Sequence, residues 1–472
     1  MKTKQITQEP SIDVGIMTAP EIAFVLHKAA YLAVYRRSKA HQWICEDRVM
    51  LPQGDYRIVQ ENKQLSLYVQ GIDTCLLQAG KRYQLQALDG STQDIFFSLK
   101  AVRIGIDFHW DRLQDQCFVG ELHLLLKEEE GGIIAINRLP LEDYLLSVIS
   151  SEMSAHAGLE LLRAHAIISR SWLLAQGLGQ HLLPPHKKEQ SSAPCGYDTE
   201  NEHIRWYERD AHLDFDVCAD DHCQRYQGFQ QSGTPQAKEA LLSTRGMVLA
   251  CEDDICDARF YKCCGGKTEC FEAAWADAPK SYLQSIHDNK QQLAGDLRDE
   301  AQARAFILSK PEAFCNTDKR EVLQQVLNYY DQETADFYRW EQRYSVEELS
   351  EIIKMRSGID FGRIQALIPI ERSHSARLVK LKIVGEKRSL IVGKELEIRK
   401  FLSRSHLYSS AFVVDECRNE KGEVETFILK GAGWGHGVGL CQIGAAMMCH
   451  EGYAYDAILH HYYPNTDIVK LY

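Results

Sequence analysis

Short runs in which apolar and polar residues alternate fill the first quarter of the chain, and they predict strands. Ile12–Met17, Glu21–Leu26, Tyr31–Tyr35, Tyr56–Val59, Leu65–Val69, Tyr83–Ala87, Ile95–Leu99 and Phe118–Leu126 are the runs, with Asp, Asn and Gly separating several of them. Helical spacing takes over at Leu139–Trp172. Leu141, Leu145, Val148 and Ile149 form one stripe. After a short polar break that contains Glu152, Leu159, Leu162, Ala166, Ser169 and Leu173 form a second. Arg163 and Arg170 lie seven residues apart, so they project from one face beside that second stripe. Gly177–Asn201 is rich in Gly, Pro, His and Ser and reads as an irregular excursion. Glu300–Leu308, Lys319–Tyr329 and Val346–Met355 predict helices in a polar stretch. Ile364–Ile370, Leu378–Val384, Phe412–Val414 and Thr426–Leu429 then return to strands. The predicted class is α+β. A β-rich accessory domain covers 1–125, and a mixed α/β region lies in two halves, 126–288 and 359–472, joined by a helical connection over 289–358.

Composition narrows the function classes. A chain of 472 residues exceeds the ~250–300 at which single cores stop growing, so more than one domain is expected. The formal charge of −12 argues against nucleic acid as a general partner. No apolar run is long enough to predict a transmembrane segment. The start, MKTKQITQEPSIDVG, has no apolar h-region and does not read as a secretory signal; taken alone it reads as cytoplasmic. On that reading the fifteen cysteines are thiols or metal ligands rather than a disulfide framework.

Three groups of residues carry candidate chemistry. Glu152 falls at the C-terminal end of a helical segment, where the negative pole of the helix disfavours a carboxylate. Spacing alone favours the plainer reading, in which Glu152 is a solvated glutamate and Arg163 and Arg170 are surface ion-pair partners. His212, Cys218, His222 and Cys223 make an H-x5-C-x3-H-C cluster, an N2S2 set suited to Zn²⁺. With four protein ligands such a site is structural, because no position is left for an activated water. Gly433, Gly435, Gly437 and Gly439 alternate without the G-K-[ST] of a phosphate loop, which predicts a backbone of unusual φ/ψ or in close approach to a ligand, presenting His436 ahead of Gln442; a tight structural turn with His436 bonded to backbone is the alternative. Cys251, Cys256, Cys263, Cys264 and Cys270 form a second, ambiguous cluster in sequence; the plainer reading is a set of small buried residues, and no cysteine-protease pattern accompanies them.

Three blocks resemble the SpoIID/LytB family, the stage II sporulation protein D and amidase-enhancer proteins. Leu141-Glu142-Asp143-Tyr144-Leu145, Ser151-Glu152-Met153 and Arg163-Ala164-His165-Ala166 with Ser169-Arg170-Ser171-Trp172 match its "LEDYL–GVV–SEM" and "LKAQAVAARTY" runs. Cys264-Gly265-Gly266-Lys267-Thr268-Glu269 resembles "SGGxTE", with Cys264 where the family often has Ser. Gly433–Ala445 resembles "GWGHGVGMSQWGA", and Ala457–Pro464 is close to "ILKHYYPGT".

The resemblance implies a peptidoglycan lytic transglycosylase that cleaves glycan strands at the MurNAc–GlcNAc linkage. One glutamate, Glu152, acts as acid and then base and leaves 1,6-anhydro ends. It implies substrate contacts from Arg163, Arg170, Cys264, Gly265, Thr268, His436 and Gln442, in a cleft built from 151–170, 264–268 and 434–442. Some members carry a His/Cys zinc site just before a "CQ–Y–G" segment, which Cys223-Gln224-Arg225-Tyr226-Gln227-Gly228 fits. The alternative is a non-catalytic glycan-binding protein that modulates an N-acetylmuramoyl-L-alanine amidase. A third reading is a zinc-stabilised intracellular carbohydrate-binding protein. The family implies glycan strands and a cell-wall amidase as partners and the cell envelope as the address, against the cytoplasmic reading of the N-terminus.

Overall fold

The computed structural model describes residues 6–472 except 39–42, 79, 92–93, 106–110, 128–130, 155, 179–194, 208–211, 221–222, 230–233, 291–294 and 327–335. The α+β class predicted from the pattern is the class observed. From Ser11 to Pro140 the described chain is all strand, arranged in two sheets. One runs in the order Ser11–Ala19, Ile133–Pro140, Glu121–Leu126, Arg82–Ala87, Ala30–Arg37, Trp43–Leu51. The other runs Arg112–Phe118, Phe97–Ile104, Glu21–Leu26, Gly54–Glu61, Gln64–Val69, Ile72–Gln78. The alternation that marked these strands is visible as burial, with Ile22, Phe24 and Leu26 inward and Glu21 exposed. The run read as one strand over 118–126 is two, because Gly120 adopts φ +77 and a Cβ there would lie 2.4 Å from the Arg138 carbonyl oxygen.

The β-rich part does not close at residue 125. Ile133–Pro140 lies between Ser11–Ala19 and Glu121–Leu126 in the first sheet, and it runs directly into helix α1 (Leu141–Glu152). One hydrophobic core extends from both sheets through α1 and helix α2 (Leu159–Ala175). An aromatic ladder follows the same path: Phe97 stacks on Phe118 at 5.0 Å, Phe118 on Tyr226 at 6.2 Å, and Tyr226 on Tyr144 of α1 at 5.3 Å. The N-terminal strands are therefore part of the scaffold of the helical pair rather than a separate appendage.

Beyond the short edge strand Val217–Cys218, helix α3 (Pro235–Ser243) packs on α2. A short helix α4 (Phe271–Ala274) follows the Cys264–Glu269 block. The expected connection contains helices α5 (Glu300–Leu308), α6 (Arg320–Val326) and α7 (Val346–Ser357). Asp299 and Ser345 cap α5 and α7, and Gly358 ends α7 in the left-handed conformation. It also contains a strand, Arg339–Ser345, which pairs with Val424–Ala432, so this stretch is built into the second half rather than laid across it. A second core gathers α7, helix α8 (Glu395–Phe401) and the strands from Arg339–Ser345 to Val424–Ala432. Helices α9 (Gln442–His450) and α10 (Tyr455–Tyr462) return the chain to the first core, and α10 packs on α2. No described helix is long and apolar enough to cross a membrane.

Candidate active site

Glu152 is the last residue of α1, half-buried, and its Oε1 accepts a hydrogen bond from the Arg225 backbone N–H at 2.9 Å. The segment that supplies this amide is tied to both helices. Gln224 accepts from the Tyr144 hydroxyl at 3.2 Å and donates to the Ser169 carbonyl at 3.3 Å. The Gln227 N–H donates to Ser147 Oγ at 3.2 Å, and the Tyr226 hydroxyl donates to Asn137 at 2.6 Å. Residues 224–227 thus form a strap across the α1–α2 pair whose central amide meets the candidate acid. This strap is invisible to periodicity; only its "CQ–Y–G" likeness marked it in the sequence.

The strap begins where the His/Cys cluster ends. Cys218 lies on the edge strand that pairs with Val14–Gly15, and the Tyr226 N–H donates to the Ala219 carbonyl. His212 Nε2 lies 3.3 Å from Cys223 Sγ, and ligand atoms of His212, Cys218 and Cys223 all fall within 4.8 Å of one another. The His212 ring rests on Phe215 at 4.5 Å. His222 lies outside the described residues. Three of the four predicted donors converge on a volume that suits one tetrahedral ion.

The two arginines do not face Glu152. Arg170 is fully buried and grips Glu142 through two bonds, Nε to Oε1 at 2.9 Å and Nη2 to Oε2 at 2.6 Å, while Nη1 donates to the Met247 carbonyl at 2.9 Å. The guanidinium expected to meet substrate is thus engaged inside the protein, where it joins α1 to α2. Arg163 sits between α2 and α3, bonded to Glu160 at 2.6 Å and to Ser243 at 3.0 Å. They share one face of α2 but not one partner, because Glu142, in the first turn of α1, reaches Arg170.

Asp143, next to Glu142, has its carboxyl pushed up to about 6 by burial first and then by Glu9 and Glu142, with Arg245 opposing. Its ordinary value is 3.8, so between there and about 6 the folded protein holds a proton that the unfolded chain has released. Folding is therefore weakened as pH rises through that window. Asp143→Asn is expected to raise the melting temperature at pH 7, with the gain shrinking toward pH 4, as a pair of thermal scans will record.

The glycine alternation has the predicted cause. Gly433, Gly435, Gly437 and Gly439 all take positive φ, between 77° and 102°. At Gly437 a Cβ would lie 2.5 Å from the guanidinium carbon of buried Arg377, so the loop needs glycine there twice over. Arg377 in turn donates to the Cys264 and Gly435 carbonyls, both at 3.4 Å, and binds the loop to the Cys264–Glu269 block. His436 is wedged between Tyr261 and Trp275, and its Nδ1 accepts from the Val438 N–H at 3.1 Å. Burial, then Arg259, Arg399 and Arg377, hold it well below the usual histidine range, so it is neutral at physiological pH. Thr268 is buried, donating to the Gln284 carbonyl at 2.9 Å and accepting from the Ile286 N–H at 2.8 Å. Gly265 packs on Gly433, and Gln442 is buried at the start of α9. Thr268, Cys264 and Gln442, expected as substrate contacts, are buried in the block beneath the loop.

The five cysteines clustered in sequence do not form one cluster in space: Cys251 neighbours Cys256, and Cys263 and Cys264 both meet Cys315 and Cys441. Cys251 faces Ser281 and Cys270 faces Glu269, whereas Cys264 meets Cys315 at 3.3 Å and Cys441 through its backbone N–H at 3.2 Å. All fifteen cysteines are free thiols. A separate cleft of about 420 Å³, which sequence reasoning did not find, is lined by Tyr197, Trp206, Asp277, Arg298, His374 and Lys394 among others. Its residues come from strands and loops more than a hundred positions apart, so no local pattern announces it.

An α+β scaffold that holds a glutamate at a helix end, strapped beside a His/Cys cluster, defines the class of protein in structural terms. Residues 129–250 match the family profile described as Stage II sporulation protein, and residues 269–439 match a domain of unknown function, DUF8618. The chain is 23% identical over 335 residues to Stage II sporulation protein D of Bacillus subtilis (strain 168), covering 71% of this chain and 76% of that protein. The same protein of Bacillus amyloliquefaciens matches at 23% over 335 residues, 71% and 75%. It is also 23% identical over 255 residues to the Amidase enhancer of Bacillus subtilis (strain 168), covering 52% of this chain and 34% of that protein. The chain carries a SpoIID/LytB family region, as its motifs indicated.

Proposed function

We propose that this protein is a peptidoglycan lytic transglycosylase with Glu152 as its single acid/base. The observation that carries the reading is the placement of Glu152: a half-buried carboxyl at a helix end, fixed through Oε1 by the Arg225 amide within a SpoIID-like region. Ordinary glycosidases use two carboxylates. One is enough when the substrate supplies its own nucleophile. Glu152 gives its proton to the glycosidic oxygen as the C1–O bond to the departing GlcNAc breaks. The muramic acid 6-hydroxyl oxygen then bonds to C1, and its proton returns to Glu152. The enzyme ends as it began and the product is a 1,6-anhydro end. The protein's own part is to hold one proton at one place and to keep the carboxyl from turning away, which is what the 224–227 strap does.

Zinc on His212, Cys218, His222 and Cys223 is part of the proposal. The three described donors fit a tetrahedral ion, and such an ion would clamp the root of the strap to the edge of the first sheet. Cys218→Ser with Cys223→Ser, or removal of zinc by a chelator, is expected to lower activity by about 10–100-fold by loosening the Arg225 amide from Glu152. Glycan binding measured by co-sedimentation should survive at a temperature where circular dichroism reports an intact fold. Unchanged turnover in the zinc-free protein would detach the cluster from the reaction.

The direct test is to digest intact and peptide-stripped peptidoglycan and search for 1,6-anhydromuramyl products by mass spectrometry. Their appearance supports the enzyme. Glycan binding without products supports the second reading, favoured by the match to an amidase enhancer: a cell-wall glycan-binding protein that modulates an amidase.

A further inference from the structure

Four groups from distant parts of the chain converge in the interior. Cys264 follows the two-residue strand Phe260–Tyr261, Cys441 ends the strand Leu440–Cys441 that pairs with it, and Asp288 and Cys315 lie on either side of α5. All four are at most 2% exposed. One ligand atom from each lies within 4.8 Å of every other. Donors about 2.3 Å from one tetrahedral zinc stand about 3.8 Å apart, so this spacing suits a shared single ion. The Cys264–Cys315 separation of 3.3 Å is far from the ~2.05 Å of a disulfide.

The surroundings are those of ligands already oriented. The Gly266 N–H donates to Cys264 Sγ at 3.3 Å and the Cys264 N–H to Cys441 Sγ at 3.2 Å. The Cys315 N–H donates to Asp288 Oδ2 at 2.8 Å and the Tyr462 hydroxyl to Asp288 Oδ1 at 2.5 Å. Bonds of this kind hold first ligands in place around metals. Asp288 forms no ion pair with any basic side chain among the described residues. A fully buried carboxylate without a cation is costly. Three thiolates and a carboxylate around a divalent ion leave two negative charges, and the buried Arg377 guanidinium stands beside the cluster, donating to the Cys264 carbonyl at 3.4 Å.

We propose that Cys264, Cys315, Cys441 and Asp288 bind a second divalent metal ion, zinc by the softness of its three thiolates and the tetrahedral S3O donor set. The site is closed, so its role is structural. It staples the glycine loop, the Cys264–Glu269 block and the helical stretch after residue 289 at one point. The family-like blocks resemble runs with Ser where Cys264 and Cys441 stand, so two of the ligands are this chain's own departure from that pattern. The site stands whether or not Glu152 cleaves glycan and whether or not the His212 cluster holds zinc.

The test is Co²⁺ titration of the full-length chain, stripped by a chelator under reducing conditions, in the Cys218→Ala/Cys223→Ala background that removes the first cluster. The expected result is one Co²⁺ per chain with near-ultraviolet thiolate charge-transfer bands and intense visible bands of a tetrahedral ion, displaced by Zn²⁺. Adding Asp288→Asn should weaken binding by at least about tenfold while keeping the thiolate bands. Adding Cys315→Ala/Cys441→Ala should abolish them. A folded Cys218→Ala/Cys223→Ala protein that gives no thiolate–cobalt bands overturns the site, and so does a Cys264–Cys315 disulfide found by mass spectrometry in the freshly purified wild type. Should that background not fold, the zinc X-ray absorption edge of the wild-type chain decides. More than two sulfurs per zinc on average supports the site; two or fewer overturns it.

Discussion

Glu152→Gln is expected to reduce the release of 1,6-anhydro ends by about 10²–10⁴-fold, the usual contribution of a positioned acid/base. The substitution is chosen for what it leaves alone. An amide oxygen at the same position still accepts from the Arg225 N–H, so the strap, the helix end and glycan binding should persist. What disappears is the proton. The glycosidic oxygen then leaves unprotonated, and the 6-hydroxyl loses the base that would take its proton, so both halves of the reaction fail together. Rate and glycan affinity measured side by side separate this from a binding defect: turnover falls while co-sedimentation with peptidoglycan is unchanged. Retention of activity within about tenfold would remove Glu152 from the acid role. A general unfolding, seen as an equal loss of rate and binding, would assign it to structure through the Arg225 amide instead.

The parts of this molecule that were legible in the sequence are those set by local period. The alternation over Glu21–Leu26 and the spacing over Leu141–Ile149 became a strand and a helix at nearly the predicted bounds, because one face of each is buried. The glycine alternation was legible for the same reason: positive φ is a property of single positions. Partnership was not legible. Arg170 reads as a surface cation until the fold brings Glu142 against it from α1. Cys264 reads with its sequence neighbours until Cys315 and Cys441 arrive from 51 and 177 residues away. Trp43–Leu51 and Ile72–Gln78 were missed as strands: charged residues interrupt the first, and the second has few branched apolar positions. No local pattern announces that Ile133–Pro140, beyond the edge read at 125, belongs by pairing to the first sheet and by chain continuity to α1. Family likeness supplied what period could not: it marked the glutamate in the polar break and the CQ–Y–G segment, but not the hydrogen bond between them, which only the fold brings about.

Arg170→Ala and Glu142→Ala are each expected to cost about 3–5 kcal/mol of folding stability, because each leaves a buried charge without its partner. The Arg170 side chain is wholly buried and that of Glu142 is only 12% exposed, so water cannot replace what is lost. Glu142 is a hub: besides Arg170 it accepts from the Tyr472 hydroxyl at 2.7 Å and the Gly246 N–H at 3.2 Å, so the C-terminal residue and the turn after α3 are fastened to α1 through it. Arg163→Ala is the contrast. Its pair with Glu160 is partly exposed, and it should cost no more than about 1 kcal/mol. Urea unfolding of the three variants and of the Arg170→Met/Glu142→Leu double variant gives the full pattern. The double variant should recover much of the single losses, since removing both charges leaves no unpaired ion. A loss at Arg170 no larger than at Arg163 would mean that the pair does not hold α1 to α2. If the pair holds as predicted, the two guanidiniums that look alike in the motif do different work. Arg170 fixes the helix that ends in Glu152, and Arg163 fastens α2 to α3.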